Sequence, residues 1–154
     1  METFSRTLDS TLQSIDIAET VAASFARLAG ISTKARAGLV LAVREIVANA
    51  VIHGNRFDVL RKVLLEVRRS ETQLAIVVSD EGEGFDPNRV ADPLSPEGLL
   101  RSSGRGLLLA RWLMDELHVE AGDVNGTRIT LVKYIGWSAA EPTSAAPREA
   151  SRQR

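Results

Sequence analysis

The stretch EIVANAVIHGN (residues 45–55) carries two interleaved patterns of side chains. Glu45, Asn49 and His53 follow one another at intervals of four residues, which places three polar side chains on one stripe of an α-helix. The apolar residues that recur at helical spacing through and before this stretch are Leu39, Val43, Ile46, Val47 and Ala50. The pattern therefore predicts an amphipathic helix that is capped by Ser32 and ended by the glycine and asparagine of HGN.

The polar stripe of this helix allows two interpretations. A solvated helix face is the commoner one, since most amphipathic helices have such a face. The other is a ligand site, because the Asn49 oxygen suits a hard cation such as Mg²⁺ and the Glu45 carboxylate can deprotonate a hydroxyl. His53 is more typical of a helix-end histidine that interacts with the last carbonyls than of a catalytic base.

Periodicity elsewhere predicts the remaining elements. Apolar residues at helical spacing indicate helices over residues 11–29, ended by Gly30, and over residues 107–117. Alternating apolar residues indicate an edge strand and two hairpins, with strands over residues 2–8, 63–67, 74–78, 117–121 and 128–134. This order predicts an α+β fold, a two-layer sandwich in which three helices cover one face of a mixed, mostly antiparallel sheet.

Between residues 82 and 106, glycine and proline interrupt every period, which predicts a loop or lid. The last hairpin turns at residues 122–126. The length of 154 residues suits one domain, which we expect to span residues 1–136. Residues 137–154 have two prolines and no large apolar side chain after Trp137, so we expect a disordered tail.

Composition excludes several classes of function. Nineteen lysines and arginines against twenty acidic residues give a net charge of -1, which argues against direct binding of nucleic acid. The chain has no cysteine and only two histidines, too few for a thiolate zinc site or for most transition-metal sites. No apolar run reaches the length of a signal peptide or a membrane span, so we expect a cytoplasmic protein that does not interact with membranes.

The run DEGEGF (residues 80–85) directly follows a predicted strand. An ordinary turn would account for its two glycines. Alternatively, Asp80 at the strand end accepts a hydrogen bond from the exocyclic amine of a base, while Gly82 and Gly84 let the backbone approach the ring.

A second glycine run, SSGRG (residues 102–106), comes immediately before the third predicted helix. An ordinary helix start is one explanation. Free N–H groups and the helix dipole also make such a terminus an anion site, and Arg105 adds a charge that can bind phosphate. Thr127, which opens the last strand, has a hydroxyl that is either structural or in contact with a bound ring.

In this order and spacing, four segments resemble the nucleotide-binding boxes of the GHKL superfamily, the histidine kinase-like ATPases. EIVANAVIHGN resembles the N box, DEGEGF the first glycine box, SGRGLLLAR the second, and GTRITL (residues 126–131) the closing strand. The short lid DPNRVADPLSPEGLLRSSGRG and the helix ending in LMDEL are similar to those of bacterial anti-sigma factor serine/threonine kinases, which regulate stress response and sporulation. Ser102 and Ser103 depart from the family, which often has an acidic residue there.

The resemblance implies ATP and Mg²⁺ as cofactors and assigns a role to each matching residue. Glu45 would be the general base, Asn49 the magnesium ligand and Asp80 the contact to adenine. The other residues implied to form the nucleotide pocket are His53, Gly82, Gly84, Phe85, Gly104, Arg105, Gly106 and Thr127. Among these, Arg105 would face the phosphates.

The resemblance also implies partners. The protein would sequester a sigma factor, phosphorylate an anti-sigma factor antagonist and form a homodimer through its first strand and first helix. One alternative is a module that uses ATP only to set its conformation and transfers no phosphate, although such a module has no chemical need for Glu45. The catalytic part of a two-component histidine kinase is disfavoured, because no phosphoacceptor histidine precedes Glu45.

Overall fold

The computed structural model describes residues 1–84 and 105–136. Its elements, in chain order, are β1 (Glu2–Asp9), α1 (Gln13–Leu28), α2 (Thr33–Asn49), β2 (Lys62–Arg69), β3 (Gln73–Ser79), α3 (Arg105–Leu113), β4 (Glu116–Ala121) and β5 (Thr127–Tyr134). A π-helical turn, Ala50–Gly54, continues directly from α2. Most of the predicted loop and all of the predicted tail lie outside the described residues. Within them, no helix has the length and apolarity needed to cross a membrane.

The five strands form one sheet in the order β1-β2-β3-β5-β4. Each of the four pairings between these strands is antiparallel. Within the described residues the sheet is therefore antiparallel throughout, and not mixed. The prediction of β1 as an edge strand is confirmed. Leu65 pairs with Val78 and Val67 with Ile76, which puts the apolar residues of adjacent strands on the same face.

Three helices cover this apolar face, as the sequence predicts. Small side chains on α1 allow close packing, since Ala18, Ala22 and Ala26 are at most 1% exposed. The apolar stripe of α2 lies in the same core as the inward side chains of the sheet; its buried members are Leu39, Ala42, Val43, Ile46 and Val47. The helix that carries the candidate site residues is therefore held at the centre of the helical layer.

The ends of α1 and α2 follow the local signals in the sequence. Gly30 has a φ of +71°, the left-handed conformation typical of the residue after a helix. The Ser32 hydroxyl accepts a hydrogen bond from the backbone N–H of Ala35 at 3.3 Å, which caps α2. Both predicted boundaries are confirmed.

The prediction of a third helix over residues 107–117 is wrong at its C-terminal end. The helix ends at Leu113, and Leu117 instead pairs with Leu131 in the sheet. Asp115 accepts a hydrogen bond from the backbone N–H of Tyr134 at 2.7 Å, which attaches the chain to β5 directly after the helix. Leu117 is buried in β4, and a leucine in a fourth turn of the helix would be buried as well. Its apolar character therefore could not distinguish the two structures.

The face of the sheet that the helices leave open is closed by charged side chains. Glu66 on β2 forms ion pairs with Arg68 at 3.5 Å and with Arg128 on β5 at 3.4 Å. The second pair spans β3, whose outward residue Val77 is only 1% exposed. Long polar side chains thus cover the apolar centre of this face.

Candidate functional site

The C-terminal half of α2 places Glu45 and Asn49 beside the first turn of α3. Gly106 approaches α2 so closely that a Cβ atom there would lie 2.7 Å from Glu45 Oε2 and 3.6 Å from Asn49 Nδ2. A side chain at this position would therefore displace the Glu45 carboxylate, whereas its distance from Asn49 is an ordinary contact. The structure brings together three of the predicted residues at the N-terminal end of a helix, where the dipole favours negative charge.

Glu45 is a half-buried residue whose carboxylate lies beside Gly106. Within the described chain it takes part in no hydrogen bond or ion pair, whereas the adjacent Arg44 pairs with Glu19 at 3.4 Å. A carboxylate with no partner among the described residues is available to accept a proton from a bound group. The geometry therefore suits a carboxylate that takes a proton from a bound group.

Asp80, immediately after β3, has one carboxylate oxygen held by the backbone. Its Oδ1 atom accepts hydrogen bonds from the N–H of Gly82 at 2.9 Å and of Thr127 at 3.2 Å. The Asp80 N–H in turn donates to the Thr127 carbonyl at 3.0 Å. Its Oδ2 atom accepts no hydrogen bond from the described residues, so one fixed acceptor remains for a ligand.

Burial raises the pKa of the Asp80 carboxyl above its ordinary value. The hydrogen bonds from Gly82 and Thr127 and the positive charge of Arg61 act in the opposite direction, because each stabilises the carboxylate. The desolvated charge is therefore only partly compensated in the protein alone. A ligand that donates a hydrogen bond to Oδ2 would supply a further favourable contact.

Four glycines bring three separate loops against this carboxylate. A Cβ atom at Gly54 would lie 2.6 Å from the Asp80 carboxylate, and one at Gly126 would lie 2.6 Å from Asp80 Oδ1. A Cβ atom at Gly82 would collide with the Gly54 carbonyl, and one at Gly84 would lie 2.6 Å from the Gly126 carbonyl oxygen. Glycine at these four positions thus lets the three loops pack closely around the Asp80 carboxylate.

The chain offers a matched pair of variants for this glycine arrangement. Gly126 and Gly136 have similar φ values, +80° and +75°, but only Gly126 would place a Cβ atom against Asp80. Gly136→Ala should cost about 1 kcal/mol of unfolding free energy through backbone strain alone, and Gly126→Ala about 3 kcal/mol or more. Urea denaturation measures both, and equal losses would show that the Asp80 segment moves aside at no cost.

Asn55 is a residue whose importance the sequence does not reveal. It is 0% exposed, and its Nδ2 atom donates to Ser10 Oγ and to the Lys62 carbonyl, both at 2.9 Å. Its Oδ1 atom accepts from the backbone N–H of Glu81 at 2.8 Å. One side chain therefore ties the end of β1 and the start of β2 to the residue that follows Asp80. An asparagine after HG suggests only a helix end, because its partners are distant in the sequence.

Removing the Asn55 amide should destabilise the whole fold. Asn55→Ala leaves one buried and two partly buried hydrogen-bonding groups without this partner, and we expect a loss of about 3 kcal/mol of unfolding free energy. Asn125→Ala, at an exposed position in the turn between β4 and β5, is the matched control and should change little. Similar urea midpoints for the two variants would contradict the role given to Asn55.

The other predicted site residues are placed less closely. His53 lies exposed in the π-helical turn, and its side chain forms no hydrogen bond with any described residue. Arg105 is the first residue of α3, with an exposed side chain. Phe85 and Gly104 lie outside the described residues. The predicted site residues that the structure describes therefore form two groups, one around Glu45 and Asn49 on α2 and one around Asp80 after β3.

Comparison with protein families matches residues 8–133 to the histidine kinase-like ATPase domain. An anti-sigma F factor of Thermoanaerobacter sp. (strain X514) is 33% identical over 128 residues, which cover 80% of this chain and 87% of that protein. An anti-sigma F factor of Clostridium novyi (strain NT) is 38% identical over 98 residues, 61% of this chain and 67% of that protein.

A solved structure has a similar fold. It contains the RsbU and RsbW domains of Rv1364c from Mycobacterium tuberculosis, and the likeness has a TM-score of 0.63 at 22% sequence identity. The match covers 88% of this chain, which spans about a third (33%) of the solved one. At this identity the likeness establishes the arrangement of helices and strands.

Proposed function

Because the chain belongs to the histidine kinase-like ATPase family, we propose that it is an anti-sigma factor kinase. It binds ATP and Mg²⁺, sequesters a sigma factor and transfers phosphate to a serine or threonine of an anti-sigma factor antagonist. Relatives named anti-sigma F factor support the sigma factor as a partner. The kinase domain corresponds to residues 1–136, which contain the whole family match.

The group around Asp80 fits an adenine base. Its free Oδ2 atom can accept a hydrogen bond from the exocyclic amine of adenine, whereas guanine would present a carbonyl oxygen that repels it. Gly82, Gly84 and Gly126 let the loops pack closely around Asp80, and Thr127 would lie at the edge of the ring. His53 and Phe85 are proposed to complete the pocket. When bound, ATP supplies the phosphoryl group.

The group around Asn49 fits the phosphate end of the nucleotide. The Asn49 amide oxygen is a suitable ligand for Mg²⁺, which neutralises phosphate charge when bound. Arg105 and the backbone N–H groups of Gly104 and Gly106 would hold the phosphates at the start of α3. This assignment places the phosphates beside the α2 carboxylate.

The observation that carries the proposal is the half-buried residue Glu45, whose carboxylate lies at the first turn of α3 and has no partner among the described residues. As the general base, Glu45 accepts the proton of the attacking serine or threonine hydroxyl. A module that only sequesters its partner needs no base there. Phosphoryl transfer requires mainly positioning and charge neutralisation, so the residues named above form a sufficient set.

Two further features belong to the proposal. We expect a homodimer formed through β1 and α1, since β1 is an edge strand that pairs only with β2 among the described strands. Sedimentation velocity of the purified protein measures this state. A protein that binds a sigma factor acts in the cytoplasm.

Transfer of label tests the function directly. The purified protein is incubated with ATP labelled at the γ-phosphate and with extract of the source cell, and labelled proteins are identified by mass spectrometry. We expect one small protein to be labelled on serine or threonine, with excess unlabelled ATP but not GTP suppressing the reaction. Binding of ATP and a sigma factor without transfer to any protein would favour the sequestering module.

A further inference from the structure

The helix α3 has an apolar outer face. Leu108, Leu109 and Trp112 are 42%, 38% and 82% exposed. With Arg105 they occupy positions i, i+3, i+4 and i+7, which form one continuous stripe along a helix. We call these four residues the outer stripe of α3.

The inner face of α3 is apolar as well. Gly106, Leu107 and Ala110 are buried against the rest of the protein. A surface helix normally carries polar residues opposite its buried face, and a helix that is apolar on both sides is typical of one covered on both sides. A tryptophan this exposed, with leucines beside it, is the composition of a protein interface.

The charges around the outer stripe restrict what can cover it. α3 has two arginines, Arg105 and Arg111, and no acidic residue. In a two-fold contact between copies of this chain the same patch faces itself, so arginines would oppose arginines. Residues 138–154 have no large apolar side chain with which to cover leucine and tryptophan. The chemistry favours a different protein with apolar side chains among carboxylates.

The stripe begins at the proposed point of phosphoryl transfer. Arg105 and Gly106 form the first turn of α3, and Gly106 is the residue that touches the Glu45 side chain. A protein that presents a hydroxyl to Glu45 must lie across this turn, and the stripe continues from there for two turns. A docking surface of this kind would hold the protein substrate while its hydroxyl is in place.

We propose that the outer stripe of α3 docks the phosphoacceptor protein through apolar side chains flanked by carboxylates. This inference rests on the proposed kinase function. Trp112 is the main anchor, because exposed tryptophans that become buried on binding contribute most to an interface. Arg111 adds electrostatic attraction that depends on salt concentration.

Steady-state kinetics test the inference with the purified phosphoacceptor identified by label transfer. Trp112→Ala should raise the KM for that protein about 10- to 100-fold, while the Kd for ATP, measured by calorimetry, stays within about twofold. Leu60→Ala is the matched control, since Leu60 is 85% exposed and lies outside the stripe. Arg111→Gln should raise the KM less and weaken its dependence on salt.

The other outcomes overturn the inference in distinguishable ways. An unchanged KM in Trp112→Ala, with transfer intact, rejects the docking surface and leaves the kinase function standing. A weaker affinity for ATP would mean that the chain's own residues cover the stripe, and slower sedimentation of the variant than of the parent would mean that a second copy does. Absence of transfer by the parent protein rejects the kinase function and the docking surface together.

Discussion

Glu45→Gln is expected to slow phosphoryl transfer by about 10²–10⁴-fold while the affinity for ATP remains that of the parent protein. The residue is half-buried beside the first turn of α3 and its carboxylate has no hydrogen-bonding partner in the described chain, so no network depends on its charge. Glutamine preserves the shape of the side chain and removes its basicity. Glu45→Ala should behave similarly and should also retain the sigma factor.

Single-turnover transfer of label from ATP to the phosphoacceptor measures this effect, and calorimetry measures ATP binding. Glu66→Gln is the control, because Glu66 is another half-buried glutamate but lies on the opposite face of the sheet. It should transfer phosphate at nearly the parental rate. Transfer by Glu45→Gln at the parental rate would leave Glu45 with a structural role only.

Asp80→Asn is expected to weaken ATP binding about 100-fold or more, with no loss of stability. The asparagine oxygen can still accept the hydrogen bonds from Gly82 and Thr127, while its amide group would replace Oδ2. That amide would face the exocyclic amine of adenine, donor against donor. Discrimination between ATP and GTP should also decrease, because the variant offers a donor to the guanine carbonyl.

The stability of this variant follows from the direction of the Asp80 pKa. Burial raises the pKa in the folded state, so the folded chain holds this proton more tightly than the unfolded chain. Its contribution to stability therefore increases as the pH falls from above the raised pKa towards the ordinary value. At pH values above the raised pKa the buried carboxylate is charged, and its desolvation destabilises the folded state. Asp80→Asn removes this destabilisation.

Thermal denaturation at several pH values, together with calorimetric titration of ATP and GTP, tests both parts. At neutral pH the melting temperature of Asp80→Asn should equal or exceed that of the parent, and its dependence on acidic pH should be smaller. Asp123→Asn, whose side chain is 88% exposed in the nearby turn, serves as the control. Unchanged affinity for ATP in Asp80→Asn would rule out Asp80 as the adenine contact.

Local sequence signals predicted most of the elements because their causes are local. The apolar period of α2, the Ser32 cap and Gly30 act within one or two turns of helix, and alternation in β2 and β3 reports which side chains face a common core. The same signals fail where two structures suit one residue. Leu117 is buried either as a fourth turn of α3 or in β4, and only its pairing with Leu131 decides between them.

The sequence by itself determined which chemical groups the site contains: a carboxylate and an amide one helical turn apart, a second carboxylate after a strand, and glycines around it. The tertiary structure alone decided how they meet. Gly106 lies against Glu45 although 61 residues separate them, and Asn55 reaches Ser10 and Glu81 over 45 and 26 residues. Such contacts leave no periodic trace in the sequence, because they depend on where the packed core brings distant loops together rather than on the conformation of any one segment.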